Sequence, residues 1–274
     1  MNVDKIIQFG RKVRLMSLKM VHEANSSHIG GAFSMTDILA VLYNGILNIN
    51  PRDPFDENRD RFILSKGHAC TSLYATLAYK NYFDINDLNN YAKDGSIYLS
   101  HTSHNIPGVE ISAGSLGHGL PIAIGLAIAA KTKNQNWLTY CLVSDGEINE
   151  GSNWEGILLA PQLKLNNLVL IVDYNKIQSL GFVEDIIDLE PIVDKFLSFN
   201  WDVHRIDGHN YNELISTFNT IKNKRAKPTV VIADTIKGKG VDFMENKLLW
   251  HYKSPDISEY ENACNQINSG DVSE

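Results

Sequence analysis

An aspartate and an asparagine thirty residues apart carry the first chemical signal in this 274-residue sequence. The apolar run 138–143 ends in Ser144-Asp145-Gly146-Glu147-Ile148-Asn149-Glu150-Gly151, and the run 168–172 ends in Asp173-Tyr174-Asn175-Lys176-Ile177-Gln178. That gap is the length of one strand–helix–strand crossover, so both segments arrive at the same edge of a parallel sheet, on neighbouring strands. A carboxylate, a side-chain amide oxygen and a nearby main-chain carbonyl are hard oxygen ligands. With diphosphate oxygens and water they suit octahedral Mg2+. Gly146 lets the backbone approach a phosphate, whose charge is also welcome at the start of the following helix. Taken singly, Asp145 reads as a helix N-cap and Asn175 as an ordinary turn residue. The pair at this spacing favours a metal–diphosphate site.

Histidine is the second signal, with nine in the chain. His28, His68, His101, His104 and His118 fall in Gly- or Ser-rich stretches at expected strand ends, a natural place for groups that bind phosphate or move protons at neutral pH. His22, His204 and His209 read as structural, and His104 is open between the two readings. Asp173 is expected to fix the turn before Asn175. Glu147 is counted with Gly146 in the turn at the expected metal–diphosphate site, its side chain read as solvated and complementing the helix dipole. Lys237 and Lys239 could reach a phosphate but read as a solvated loop.

The elements that must position these groups follow from hydrophobic patterning. Short β-branched runs at 62–64, 138–143, 168–172 and 229–233 read as buried parallel strands, with a less regular fifth at 201–206. Helical spacing covers 6–24, 72–82, 121–133, 153–163 and 211–223, and Ser34 is the expected N-cap of a helix over 35–47. Strands alternating with helices imply an α/β, doubly wound, mainly parallel sheet with helices on both faces. Residues 1–274 are expected to form a single domain, with a polar tail from about 254 as a loosely attached arm.

Bulk properties exclude several classes. The formal net charge is −7, which argues against a surface for nucleic acid, where basic clusters would be needed. The longest apolar stretch, 122–130, is too short to cross a membrane. The N-terminus lacks the pattern of a secretory signal, and three widely spaced cysteines fit a reduced cytoplasm.

Five motifs together resemble the transketolase family. The segment from Ser144 to Gln178 is similar to the thiamine-diphosphate motif, and Ala24-Asn25-Ser26-Ser27-His28-Ile29-Gly30-Gly31 to that family's N-terminal histidine loop. Asp60-Arg61-Phe62-Ile63-Leu64-Ser65-Lys66-Gly67-His68 looks like its strand followed by Gly-His. Pro107-Gly108-Val109-Glu110 through Gly114-Ser115-Leu116-Gly117-His118-Gly119 matches its Gly-rich loop. Thr235-Ile236-Lys237-Gly238-Lys239-Gly240, then Trp250-His251, resembles its closing segment. Two departures stand out: Ser144 where the family usually has Gly, and His118 where full-length members usually carry Gln.

The resemblance implies thiamine diphosphate and Mg2+, or another divalent cation such as Ca2+ or Mn2+, as cofactors. Asp145 and Asn175 would hold the metal by side chains and Ile177 by its carbonyl. Gly146, His68 and His251 would contact the diphosphate, with Gly114, Ser115 and Leu116 along the cofactor's rings. His28 and His101 would line the sugar channel, helped by His68 and His251, and Glu150 would link paired cofactor sites at a dimer interface. The implied reaction moves a two-carbon ketol unit from a ketose or its phosphate to an aldose or its phosphate. The family's pyrimidine-binding domain, which carries the activating glutamate, has no counterpart in this sequence. The expectation is therefore the N-terminal subunit of a split enzyme, working in an α2β2 heterotetramer with a separately encoded C-terminal subunit. The alternative is the α subunit of another thiamine-diphosphate enzyme, of the deoxyxylulose-phosphate-synthase or 2-oxo-acid-dehydrogenase kind. A Rossmann dinucleotide site is disfavoured because no GxGxxG follows the first strand.

Overall fold

The computed structural model describes residues 1–270. In chain order the elements are α1 (Val3–Glu23), α2 (Ile29–Ser34), α3 (Thr36–Val41), β1 (Arg61–Leu64), α4 (Cys70–Tyr79), α5 (Gly119–Thr132), β2 (Thr139–Ser144), α6 (Asp145–Ile148) and α7 (Gly151–Gln162). They continue with β3 (Leu168–Tyr174), α8 (Val183–Ile186), α9 (Ile192–Ser198), β4 (Asp202–Asp207), α10 (Tyr211–Asn223), β5 (Thr229–Asp234) and α11 (Ile257–Ser269).

The five strands form one parallel sheet in the order β1-β2-β3-β5-β4. The central strand β3 is buried along its whole length, as its unbroken apolar run requires of a strand covered on both faces. Strand β4 lies at an edge with only Ile206 of its six residues buried, which accounts for its irregular pattern. Alternate side chains serve opposite layers. Phe62, Leu64, Tyr140, Leu142, Val169, Ile171 and Val231 pack with α3, α4 and α10. Ile63, Cys141, Val143, Leu170, Val172 and Ile232 pack with α5, α7 and α9. The doubly wound architecture expected from the pattern is the one observed.

Two local expectations are corrected. Ser34 does not cap a helix. It is the last residue of α2, and its hydroxyl donates to the Gly31 carbonyl and, at 2.5 Å, to Asp173. The buried charge of Asp173 takes the hydroxyl that a cap would have used. The stretch after Ser254 is not a loose arm over its described part. Asp256 and Glu259 form a capping box that starts α11, and Ala263 and Ile267 are buried with Leu18 and Val21 of α1. Residues 271–274 of the expected tail lie outside the described residues.

Candidate active site

Strands β2 and β3 end in register, Ser144 opposite Asp173, so the turns that follow emerge side by side. Ser144 rather than Asp145 is the N-cap of α6, in a reciprocal capping box with Glu147. Asp145 is thereby left for another task. Its Oδ1 accepts from the Gly146 amide at 2.7 Å and its Oδ2 from the Lys176 amide at 2.6 Å. The second bond joins the Asp-Gly turn to the Asn175 loop, bringing the two halves of the spaced motif together. Lys176 takes a left-handed φ of 68° to make that turn. Asp145 is 1% exposed, and burial, reinforced by the nearby charge of Asp173, pushes its carboxyl up to about 6. Asn175 is also buried. Its Oδ1 accepts from the Ile177 amide at 3.1 Å, and its Nδ2 lies 3.5 Å from both the Ser34 hydroxyl and Asp173. The Ile177 carbonyl accepts from Lys237 Nζ at 2.9 Å.

The position of Lys237 corrects its reading as a solvated loop residue. The side chain is buried, its ammonium bridges the Ile177 carbonyl and His251 Nδ1, the latter at 2.8 Å, and burial lowers its pKa to about 8. Glu147 is likewise not solvated. It is fully buried and accepts from the Ser65 hydroxyl and from the Gly117 amide at 2.9 Å. The Ser65 hydroxyl in turn accepts from the Gly119 amide at 3.1 Å. Glu147 thus pins the Gly-rich loop to the ends of β1 and β2. Close approach explains two glycines there: a Cβ at Gly119 would meet Ser65 Oγ at 2.2 Å, and one at Gly67 the Ala113 carbonyl oxygen at 2.0 Å.

Asp173 does more than shape a turn. It forms a buried ion pair with Lys66 and also accepts from the Ser34 and Thr235 hydroxyls. Burial opposes its charge, but Lys66 and these donors outweigh that and hold the carboxyl below its ordinary range. Lys66 also donates to the Gly31 carbonyl at 2.8 Å. One charge pair therefore joins the carboxyl ends of β1, β3 and β5 to the histidine loop.

Beside this edge four imidazoles gather. His28 lies 5.0 Å from His68, 5.2 Å from His251 and 6.1 Å from His101, centroid to centroid. The His28 amide donates to the His251 carbonyl at 3.0 Å, so the two loops that carry them are tied. Burial, with the neighbouring cationic groups, lowers His28 to about 4 and His251 to about 3 and depresses His68 strongly; burial alone depresses His101. All four are neutral near pH 7 and able both to donate and to accept. Gly114 lies against His101, a Cβ there falling 3.6 Å from its ring, while Ser115 is exposed and Leu116 half-buried. Glu150 is exposed at the start of α7.

The other histidines stand apart. His104 bonds Ser112 at 2.8 Å, and His118 is exposed at the start of α5. His22 stacks on Tyr260, His204 sits beside Asp202, and His209 is held between Asp37 and the Ile236 amide. Sequence reasoning passed over Tyr252, a mostly exposed ring packed edge-on against His251 and His28. Its only signal was adjacency to His251.

Residues 6–259 match the family described as transketolase, thiamine diphosphate binding domain. The chain belongs to the transketolase family. An apulose-4-phosphate transketolase subunit of Phocaeicola vulgatus is 37% identical over 98% of this chain and 95% of its own length. The Actinobacillus succinogenes protein of the same name is 41% identical over 90% of the chain and 91% of its own. A 6-deoxy-6-sulfo-D-fructose transketolase subunit of a Clostridium species is 38% identical over 87% of each. The crystal structure of Campylobacter jejuni transketolase superposes with a TM-score of 0.93 at 33% identity, over 98% of this chain but 43% of that one. The transketolase fold and the thiamine-diphosphate-binding domain expected from the motifs are therefore present, and the relatives' names bear out a transferase subunit. The chain matches nearly the full length of the subunits and less than half of the full-length enzyme.

Proposed function

We propose that this transketolase-family chain binds the diphosphate of thiamine diphosphate through a divalent cation, with Mg2+ the best match, and supplies the histidines of a ketol-transfer site completed by a second polypeptide. The observation that carries this reading is the bond from the Lys176 amide to Asp145, which draws the Asp-Gly and Asn turns into one cluster at the strand ends. Asp145, Asn175 and the Ile177 carbonyl form an all-oxygen donor set suited to a hard cation. A cation beside the buried Asp145 would also relieve the effect that raises its pKa. Lys237, already at the Ile177 carbonyl, is placed to meet a phosphate oxygen, and Gly146 presents main chain without a side chain. His68 and His251 flank this edge, and Gly114, Ser115 and Leu116 form the loop along which the cofactor's rings would lie. Glu147 serves that loop from beneath, by holding Gly117.

When bound, thiamine diphosphate supplies the carbanion chemistry that breaks and forms a carbon–carbon bond next to a carbonyl. This chain's part is to hold the cofactor and manage protons. The neutral imidazoles of His28, His101, His68 and His251 hydrogen-bond sugar hydroxyls and shuttle protons at neutral pH. Glu150, exposed before α7, is assigned to contact with a paired site across a subunit boundary. The relatives named as transketolase subunits support a separate partner polypeptide; in this reading it carries the pyrimidine-binding domain and the two form an α2β2 assembly. These relatives' names, with that of the Clostridium relative, also place apulose 4-phosphate and 6-deoxy-6-sulfo-D-fructose among the candidate substrates. The three free cysteines suit the reducing cytoplasm.

The test pairs this chain with the polypeptide encoded next to its gene and offers ketose phosphates or pyruvate as donor. Ketol transfer from a ketose, requiring both polypeptides and thiamine diphosphate, is the expected result. Decarboxylation of pyruvate without ketol transfer would move the chain to the 2-oxo-acid-dehydrogenase class.

A further inference from the structure

Beside the carboxyl ends of β4 and β5 lies a buried polar cluster that the proposed reaction does not use. Arg14 of α1 and Asp37 of α3 form a two-pronged ion pair, with Nη1 to Oδ1 at 2.8 Å and Nη2 to Oδ2 at 2.7 Å, and they are 6% and 3% exposed. Asp37 also accepts from the Tyr211 hydroxyl and pairs with His209 Nδ1 at 2.8 Å. A buried ion pair is a weak contributor to stability, so its use for placing other groups is the more informative question.

Two of its free edges reach the same segment. The Ile236 amide points at His209 Nε2 at 2.8 Å, and Arg14 Nε donates to the Lys239 carbonyl at 3.0 Å. These anchors bracket Lys237, whose ammonium reaches the Ile177 carbonyl and His251. The geometry also settles the imidazole's state. A main-chain amide can only donate, so Nε2 must be the bare acceptor, and Nδ1 must carry the proton it gives to Asp37. Only the neutral Nδ1–H tautomer satisfies both partners.

We propose that His209, oriented by Asp37 and Arg14, is a positioning residue for cofactor binding: it fixes the main chain at Ile236 so that the Lys237 ammonium stands at the diphosphate edge. The inference rests on the reading of that edge as the thiamine-diphosphate site.

Two near-isosteres separate the roles of the ring nitrogens. In His209→Gln the amide oxygen can stand in for Nε2 and accept from Ile236. In His209→Asn the shorter amide can meet Asp37 but falls short of Ile236. The readout is the dissociation constant of thiamine diphosphate in saturating Mg2+, with the urea midpoint of each unliganded chain measured alongside. His209→Asn should weaken binding by about tenfold or more, as loss of a group behind a ligand does, while His209→Gln stays within about threefold of wild type. Wild-type affinity in His209→Asn overturns the proposal, as does an equal loss in both variants that merely follows a fall in urea midpoint. Failure of the wild-type chain to bind thiamine diphosphate overturns the site reading itself, so the two failures are distinct. Nitrogen-15 NMR of the wild-type imidazole gives a check that depends on no variant: a proton on Nδ1 supports the proposal, and a proton on Nε2 contradicts it.

Discussion

His28 holds a left-handed φ of 73°, a conformation rare for residues other than glycine, and its ring faces three other imidazoles. Strain of this kind persists where surrounding structure over-determines it, here through the His251 carbonyl that receives the His28 amide. His28→Ala in the assembled enzyme should lower donor turnover by about a hundredfold, the scale of one proton-transfer group, and leave thiamine-diphosphate affinity unchanged. Weaker cofactor binding with normal turnover would contradict the assignment. The imidazoles also set a pH dependence. The unfolded chain takes up their protons near pH 6.5, whereas in the fold His28 waits until about 4 and His251 until about 3. The unfolded state therefore binds more protons over that window, and stability present above pH 6.5 is lost as pH falls toward 4. Asp145, raised to about 6, acts in the opposite sense together with Asp60 and Glu147, whose carboxyls burial also raises. The depressed carboxyls of Asp37 and Asp173 act with the four histidines. The urea midpoint of the unliganded chain should fall steadily from pH 6.5 to 4; a rise would contradict the neutral-histidine picture. At this scale the sequence showed the residues that announce themselves by spacing or by an unusual setting, Asp145, Asn175 and the loop histidines. It hid Lys237 and Glu147, because charged side chains are mostly solvated, and only partners distant in sequence, Ile177 and Ser65, reveal that these two are buried.

Among the elements, the Lys66–Asp173 pair makes the strand ends one unit. Lys66 follows β1, Asp173 lies in β3, and the carboxylate also takes the hydroxyls of Ser34 from α2 and Thr235 after β5. Lys66→Met should leave Asp173 buried without its cation and cost about 3–5 kcal/mol in urea unfolding. A cost near zero would mean that the pair does not hold the edge together. Strands were the most legible elements, since runs such as 168–172 can be accommodated only between two covered faces. Helix starts were less so. Ser34 resembles a cap by type, but a buried carboxylate over a hundred residues away claims its hydroxyl. The polar sequence after Ser254 concealed α11, which docks through two buried apolar side chains, Ala263 and Ile267, with Tyr260 and Cys264 partly buried beside them.

For the molecule as a whole, one carboxyl edge carries the joined Asp145 and Asn175 turns and a neutral histidine cluster side by side. The proposal of a two-polypeptide enzyme carries a direct expectation: the chain alone, with Mg2+ and thiamine diphosphate, should show negligible ketol transfer, and addition of its partner should restore it. Full turnover by the isolated chain would refute the division of labour. The central claim, that Asp145 and its neighbours clamp a diphosphate through a divalent cation, is tested most directly by melting the isolated chain with ligand. Binding to the native state alone raises the melting temperature by mass action. Thiamine diphosphate with Mg2+ should raise it for the wild-type chain, thiamine without its diphosphate should not, and Asp145→Ala should abolish the rise. An unmoved wild-type melting temperature, or an equal rise in Asp145→Ala, would contradict the account.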